Sequence, residues 1–130
     1  MEKKNIVIGC VWIFLFLALG SFLEMKPGVG EDWKESTMRH LWKTAHLHGG
    51  LFGILNLLYG LIISNRKLSG KVIFAGSILA VIGAIIFPIS LFLGGISLTL
   101  VKAAPLGGLS MIAAWAIMSY AVITCTCEDS

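Results

Sequence analysis

The chain has little charge. Asp, Glu, Lys and Arg together make up 13% of its residues, against roughly a quarter in soluble domains. The charges lie between long apolar runs, and no acid falls inside any of those runs. Ion or proton relays of the transporter type, which depend on carboxylates buried in the membrane, are therefore not expected. No run alternates apolar and polar residues with period two, which argues against strands. Metal-site spacings of the H-E-x-x-H, H-x-E or C-x-x-C kind are missing. Of the three cysteines, Cys10 reads as a small apolar residue, and Cys125 and Cys127 have too few companions to hold a metal. Dense basic patches with interleaved aromatics are also absent. The formal net charge of +3 thus points to membrane anchoring, with no nucleic-acid partner.

What is present is apolar: 57% of residues are hydrophobic and the mean hydropathy is +0.90. Runs at 5–23, 44–64, 72–93 and 103–126 are each near or above the ~20 residues that cross a bilayer. Backbone polar groups in lipid must be satisfied internally, so each run is predicted to be a helix. The expected fold is an all-α integral membrane protein, with residues 1–130 forming one bundle of four transmembrane helices. A long first extramembrane loop, 24–43, joins the first two helices. Ala18-Leu19-Gly20 looks like a signal cleavage site, but the first run is expected to stay as a spanning helix. Asp32 or Ser36 is expected to cap a short helix through Trp33 and Trp42, with both tryptophans at the membrane interface. Pro88 should kink the third helix or free one of its carbonyls. Gly94-Gly95 should loosen that helix's outer end.

Basic residues do not settle orientation by number. With the N-terminus inside, Lys3, Lys4, Arg66, Lys67 and Lys71 lie within, and Lys26, Lys34, Arg39, Lys43 and Lys102 lie outside. The short 65–71 loop is basic without an acid, whereas 24–43 balances its basic residues with Glu24, Glu31, Asp32 and Glu35. This density favours a multi-pass protein of the cell inner membrane with both termini in the cytoplasm.

One helix face stands out. His46, Gly49, Gly53, Asn56 and Gly60 recur at three- and four-residue steps and form a single stripe. An imidazole above glycines suits an axial ligand to a haem, whose flat ring needs a gap beside the helix. Gly49, Gly50 and Gly53 would supply that gap. Two bland alternatives compete: close packing of another helix on the glycines, and an interhelical hydrogen bond from the histidine. His48 points to nearly the opposite face and is expected to be interfacial or hydrogen-bonded to neighbouring backbone. His40 is expected in the loop.

The segment Trp42-Lys-Thr-Ala-His46-Leu-His-Gly-Gly-Leu51-Phe-Gly53 resembles the second helix of the membrane styrene oxide isomerases, with their W-x-x-A-H-x-x-x-x-L-N-G arrangement. The related hydroxylaminobenzene mutases have a similar segment, and Gly76-Ser77-Ile78 adds a weaker match. The resemblance implies a homo-oligomer, a trimer, with haem b between protomers and His46 as the ligand to the haem iron. It implies a redox-neutral rearrangement, in which ferric iron draws on an epoxide oxygen and a hydride shift yields an aldehyde. A water-poor pocket would protect the cation-like centre. Two positions depart from the family: Phe52 stands where it has asparagine, and Ser90 where the isomerases have tyrosine. Asn56, one turn on, is the amide that could replace the first. Phe52, Asn56 and Ser90 are accordingly the expected substrate contacts. The competing expectation is a small accessory subunit of a larger respiratory or oxygenase complex in the lipid, without catalysis of its own.

Overall fold

The computed structural model describes residues 2–25 and 36–128, with side chains through 124. Residues 26–35 of the expected 24–43 loop, with Asp32 and Trp33, and the side chains of Cys125 and Cys127 lie outside the described residues. The chain is all-helical. Helices α1 (Glu2–Glu24), α2 (Thr37–Arg66), α3 (Lys71–Gly94) and α4 (Ala104–Glu128) follow one another, with a 3-10 helix at Leu98–Ala103 before α4. All four are long and apolar enough to cross a membrane, α4 together with its 3-10 lead-in. No strand occurs among the described residues.

Helix α2 begins seven residues before the expected 44 and takes in residues 37–42 of the predicted separate short helix. Ser36 caps it, accepting from the Arg39 amide at 3.2 Å. The polar stretch Arg39–Thr44 hides these turns from a hydropathy reading, but a good cap and an unbroken backbone let the helix run on. His40 is therefore exposed on helix α2 and not in the loop. At the other end Lys67 adopts a left-handed conformation (φ 51°), and its amide returns to the Ile63 and Ser64 carbonyls. Gly70 (φ 114°) then turns the chain into α3.

Helices α2 and α3 form the centre. Helix α1 packs mainly on α2, and α4 mainly on α3. Lipid supplies no hydrophobic drive for this association, so close backbone approach and interhelical hydrogen bonds must hold it. The first contact is at Gly9, where an added Cβ would stand 2.6 Å from the Leu57 nitrogen and 2.7 Å from the Gly53 carbonyl. The second is at Gly83, where it would stand 2.9 Å from both the Gly107 carbonyl and the Met111 nitrogen. Helix α3 ends at the expected Gly94-Gly95 pair, which other side chains cover. Val101 packs on Gly94, and the Trp42 indole packs on Gly95 while donating to the Phe92 carbonyl at 2.9 Å.

Polar groups also join the helices. Asn5 Nδ2 donates to Asn56 Oδ1 at 2.7 Å and to the Ser77 carbonyl at 3.3 Å, while the Ser77 hydroxyl donates to Asn5 Oδ1. Asn56 Nδ2 reaches the Ala80 carbonyl at 3.5 Å. Both asparagines are fully buried. Pro88 lacks the amide that would bond the Ala84 carbonyl one turn back, and the Trp12 indole donates to that carbonyl instead. Outward-facing side chains are apolar: Phe14, Leu17, Leu106 and Ile112 are 71, 58, 64 and 68% exposed. That surface suits lipid, and it is too extensive for a monomer in water.

Candidate functional site

The glycine stripe faces α1 and is filled by it. An added Cβ at Gly49 would enter the Phe16 ring, and one at Gly53 would stand 3.0 Å from the Ile13 nitrogen. Gly60 lies against the Glu2 carbonyl, 2.7 Å from its would-be Cβ. Within the protomer there is thus no gap for a flat ligand along Gly49 and Gly53. Gly50 lies off this face, with nothing within 4 Å of an added Cβ.

The three expected substrate contacts are also engaged elsewhere. Asn56 is locked to Asn5 and the Ala80 carbonyl. Phe52 packs its ring 5.1 Å from Phe87. The Ser90 hydroxyl donates to the Phe87 carbonyl at 2.8 Å, a bond back to its own helix.

His46 has a different setting. Its ring lies directly over Gly20 of α1, where a side chain would collide with Cε1, Nδ1 and Nε2. Nδ1 bonds the Phe16 carbonyl. A carbonyl only accepts, so Nδ1 carries the hydrogen and the lone pair is left on Nε2. No described residue bonds Nε2. The imidazole borders a cavity of about 590 Å³ between the C-terminal end of α1 and the start of α2. Leu17, Leu23, Met25 and Leu47 supply its apolar walls, and Glu24, Arg39 and Lys43 its charge. Arg39, Lys43 and His46 share one helix face by their spacing. That spacing is visible in the sequence, where the two cations also count toward topology.

His48 faces the other way, toward α3. Its Nδ1 bonds the Thr44 carbonyl at 3.0 Å, and its ring lies 4.9 Å from Phe87 and 6.3 Å from Phe52. This matches the expected bond to neighbouring backbone. The two histidines cannot meet at one metal, and no group of three or more His, Cys, Asp or Glu that could hold a metal occurs among the described residues.

A haem can be tested against this geometry. The glycine face does not fit it, because α1 fills the space. The cavity beside His46 fits better: it offers a nitrogen donor with its tautomer fixed from behind, apolar walls and two cations. Its volume is within the roughly 300–1,000 Å³ usual for small-molecule sites.

Fold and site together fit a multi-pass, all-helical membrane protein with one anchored histidine on an interhelical cavity. Residues 12–130 match the family model described as "Domain of unknown function (DUF8059)", and the chain belongs to that family. No curated protein and no solved structure matches the chain.

Proposed function

We propose that this chain is a haem b-binding protein of the cell inner membrane, with His46 Nε2 as the iron ligand. The observation that carries this reading is the anchored imidazole: Nδ1 is held by the Phe16 carbonyl while the ring borders the Arg39–Lys43 cavity. Arg39 and Lys43 would pair with the two propionates, as guanidinium and ammonium groups pair with carboxylates. Leu17, Leu23 and Leu47 would cover the ring and exclude water. When bound, the iron would supply Lewis-acid chemistry at an oxygen of a small apolar substrate arriving through lipid. A redox-neutral rearrangement of the styrene oxide isomerase or hydroxylaminobenzene mutase kind is the activity in view.

The resemblance around His46 supports a homo-oligomer, a trimer, in which a neighbouring protomer closes the cavity. The basic 65–71 loop supports both termini lying in the cytoplasm.

The test is an absorption spectrum of gently purified protein, oxidised and then dithionite-reduced. The expected result is a Soret band that His46→Ala removes and His48→Ala preserves. A featureless wild-type spectrum after expression with ample haem would sink the proposal. It would leave the accessory-subunit reading, which co-purification with larger partners in mild detergent would then support.

A further inference from the structure

The cavity beside His46 carries charge of both signs, and the haem reading uses only part of it. Gly20 of α1 meets the His46 ring. One turn further toward the end of the bundle lie Glu24 on α1 and Lys43 on α2, and Arg39 follows one turn beyond Lys43. Glu24, Arg39, Lys43 and His46 all line the one cavity. None of them is sealed off: Glu24 and Lys43 are exposed, and Arg39 and His46 are partly buried. No ion pair joins Glu24, Arg39 or Lys43 to one another or to any other described residue. Leu17 and Leu47 belong to the apolar walls and are each 58% exposed on the lipid-facing surface. The cavity therefore opens sideways to the bilayer where α1 ends.

The polar groups differ in what they ask of an occupant. Arg39 and Lys43 donate and are positive, so they suit a phosphate or a carboxylate. Glu24 only accepts, and so does His46 Nε2, because Nδ1 holds the ring hydrogen. These two suit a cation with hydrogens to give. A lipid with a phosphate alone would satisfy the α2 cations and leave Glu24 facing a like charge. A choline headgroup would bring a cation without an N–H donor. A primary ammonium joined to a phosphate by a short bridge supplies both parts: N–H donors for Glu24 and Nε2, and an anion for Arg39 and Lys43.

We infer that the His46 cavity, when free of haem, holds the headgroup of an aminophospholipid of the phosphatidylethanolamine kind. Its phosphate lies on Arg39 and Lys43, and its ammonium on Glu24 and His46 Nε2. The acyl chains pass Leu17 and Leu47 into the bilayer. Lipid and haem draw on the same groups and exclude each other, so this role goes beyond the haem reading and does not need it.

The test is native mass spectrometry of the full, haem-free chain released from mixed micelles. The micelles hold phosphatidylethanolamine, phosphatidylcholine and phosphatidylglycerol in equal amounts and with identical acyl chains. Phosphatidylethanolamine should be retained about fivefold better than either of the others, the difference that one net hydrogen bond makes. Glu24→Gln should remove most of its advantage over phosphatidylcholine and raise the retention of phosphatidylglycerol. Combining Arg39→Gln with Lys43→Gln should reduce retention of all three lipids. Lys4→Gln, at the opposite end of the bundle, should change nothing. A featureless absorption spectrum would remove the haem reading and leave this preference as it is. No retained lipid, equal retention of the ethanolamine and choline lipids, or an unchanged preference in Glu24→Gln would each overturn the inference.

Discussion

Side-chain volume at single positions decides what the first helix hairpin can do. Gly20 lets the His46 ring come close to α1, and Gly50 does nothing comparable. Gly20→Ala should therefore push the imidazole from the Phe16 carbonyl and cost about 1–3 kcal/mol of overpacking. Gly50→Ala should be neutral or stabilise by roughly 0.5–1 kcal/mol through helix propensity. Unfolding in mixed micelles measures both, and equal effects at the two glycines would contradict the packing described. At Asn56 the expected cost is smaller than in a water-soluble core. Replacing it with Leu removes the acceptor of one Asn5 amide hydrogen and leaves the Asn5–Ser77 bonds in place, and interhelical bonds in membranes average ~0.6 kcal/mol, with a maximum near 1.7. Asn56→Leu should thus lose about 1 kcal/mol in the same assay. The sequence made the stripe His46–Gly49–Gly53–Asn56–Gly60 legible, because periodicity alone determines a helix face. It did not make legible which helix covers that stripe. Asn5 is 51 residues from Asn56, and nothing local announces the pairing.

Elements were legible where hydropathy defines them and less so where charge enters. The third run, expected at 72–93, became Lys71–Gly94. The start of α2 lies before its apolar run because Arg39, His40 and Lys43 are polar residues on a continuous, capped helix. Pro88 illustrates how an element-level rule leads to a tertiary contact. Proline frees a carbonyl, and in lipid that carbonyl needs a donor; Trp12 of α1 provides one at Ala84. Trp12→Phe should then be destabilising by about 1–2 kcal/mol, since it removes the donor and leaves the acceptor. Pro88→Ala restores the helical amide that can satisfy Ala84 from within α3. In that background Trp12→Phe should cost markedly less, giving a coupling of about 1 kcal/mol in a double-mutant cycle. Additive effects would mean that Trp12 acts by packing against Phe16, its aromatic neighbour at 6.1 Å, and not through the carbonyl.

At the scale of the molecule the architecture is two hairpins joined by a thin connection. Helices α1 and α2 pack along Gly9 and Gly53, and α3 and α4 along Gly83 and Gly107. The 67–70 turn that links them is held by the return of the Lys67 and Leu68 amides to the end of α2. Backbone bonds within each spanning helix are satisfied before any helix meets another, so each hairpin should insert by itself. The bonds that bring the hairpins together cross from α1 and α2 to α3: Asn5 with Ser77, Asn56 with Ala80, Trp12 with Ala84, and Trp42 with Phe92. These do not depend on the turn. A chain cut between Ser69 and Gly70 and co-expressed as two fragments should accordingly reassemble and co-purify in mild detergent. Combining Trp12→Phe and Trp42→Phe with Asn5→Leu and Asn56→Leu removes those crossing bonds while leaving both glycine contacts within the hairpins. This fourfold variant should lose co-purification while each fragment still inserts. If the wild-type fragments failed to associate, the covalent turn would be what holds the halves together. If the fourfold variant associated as well as wild type, packing of α2 on α3 would suffice, and assembly would not need the buried polar groups.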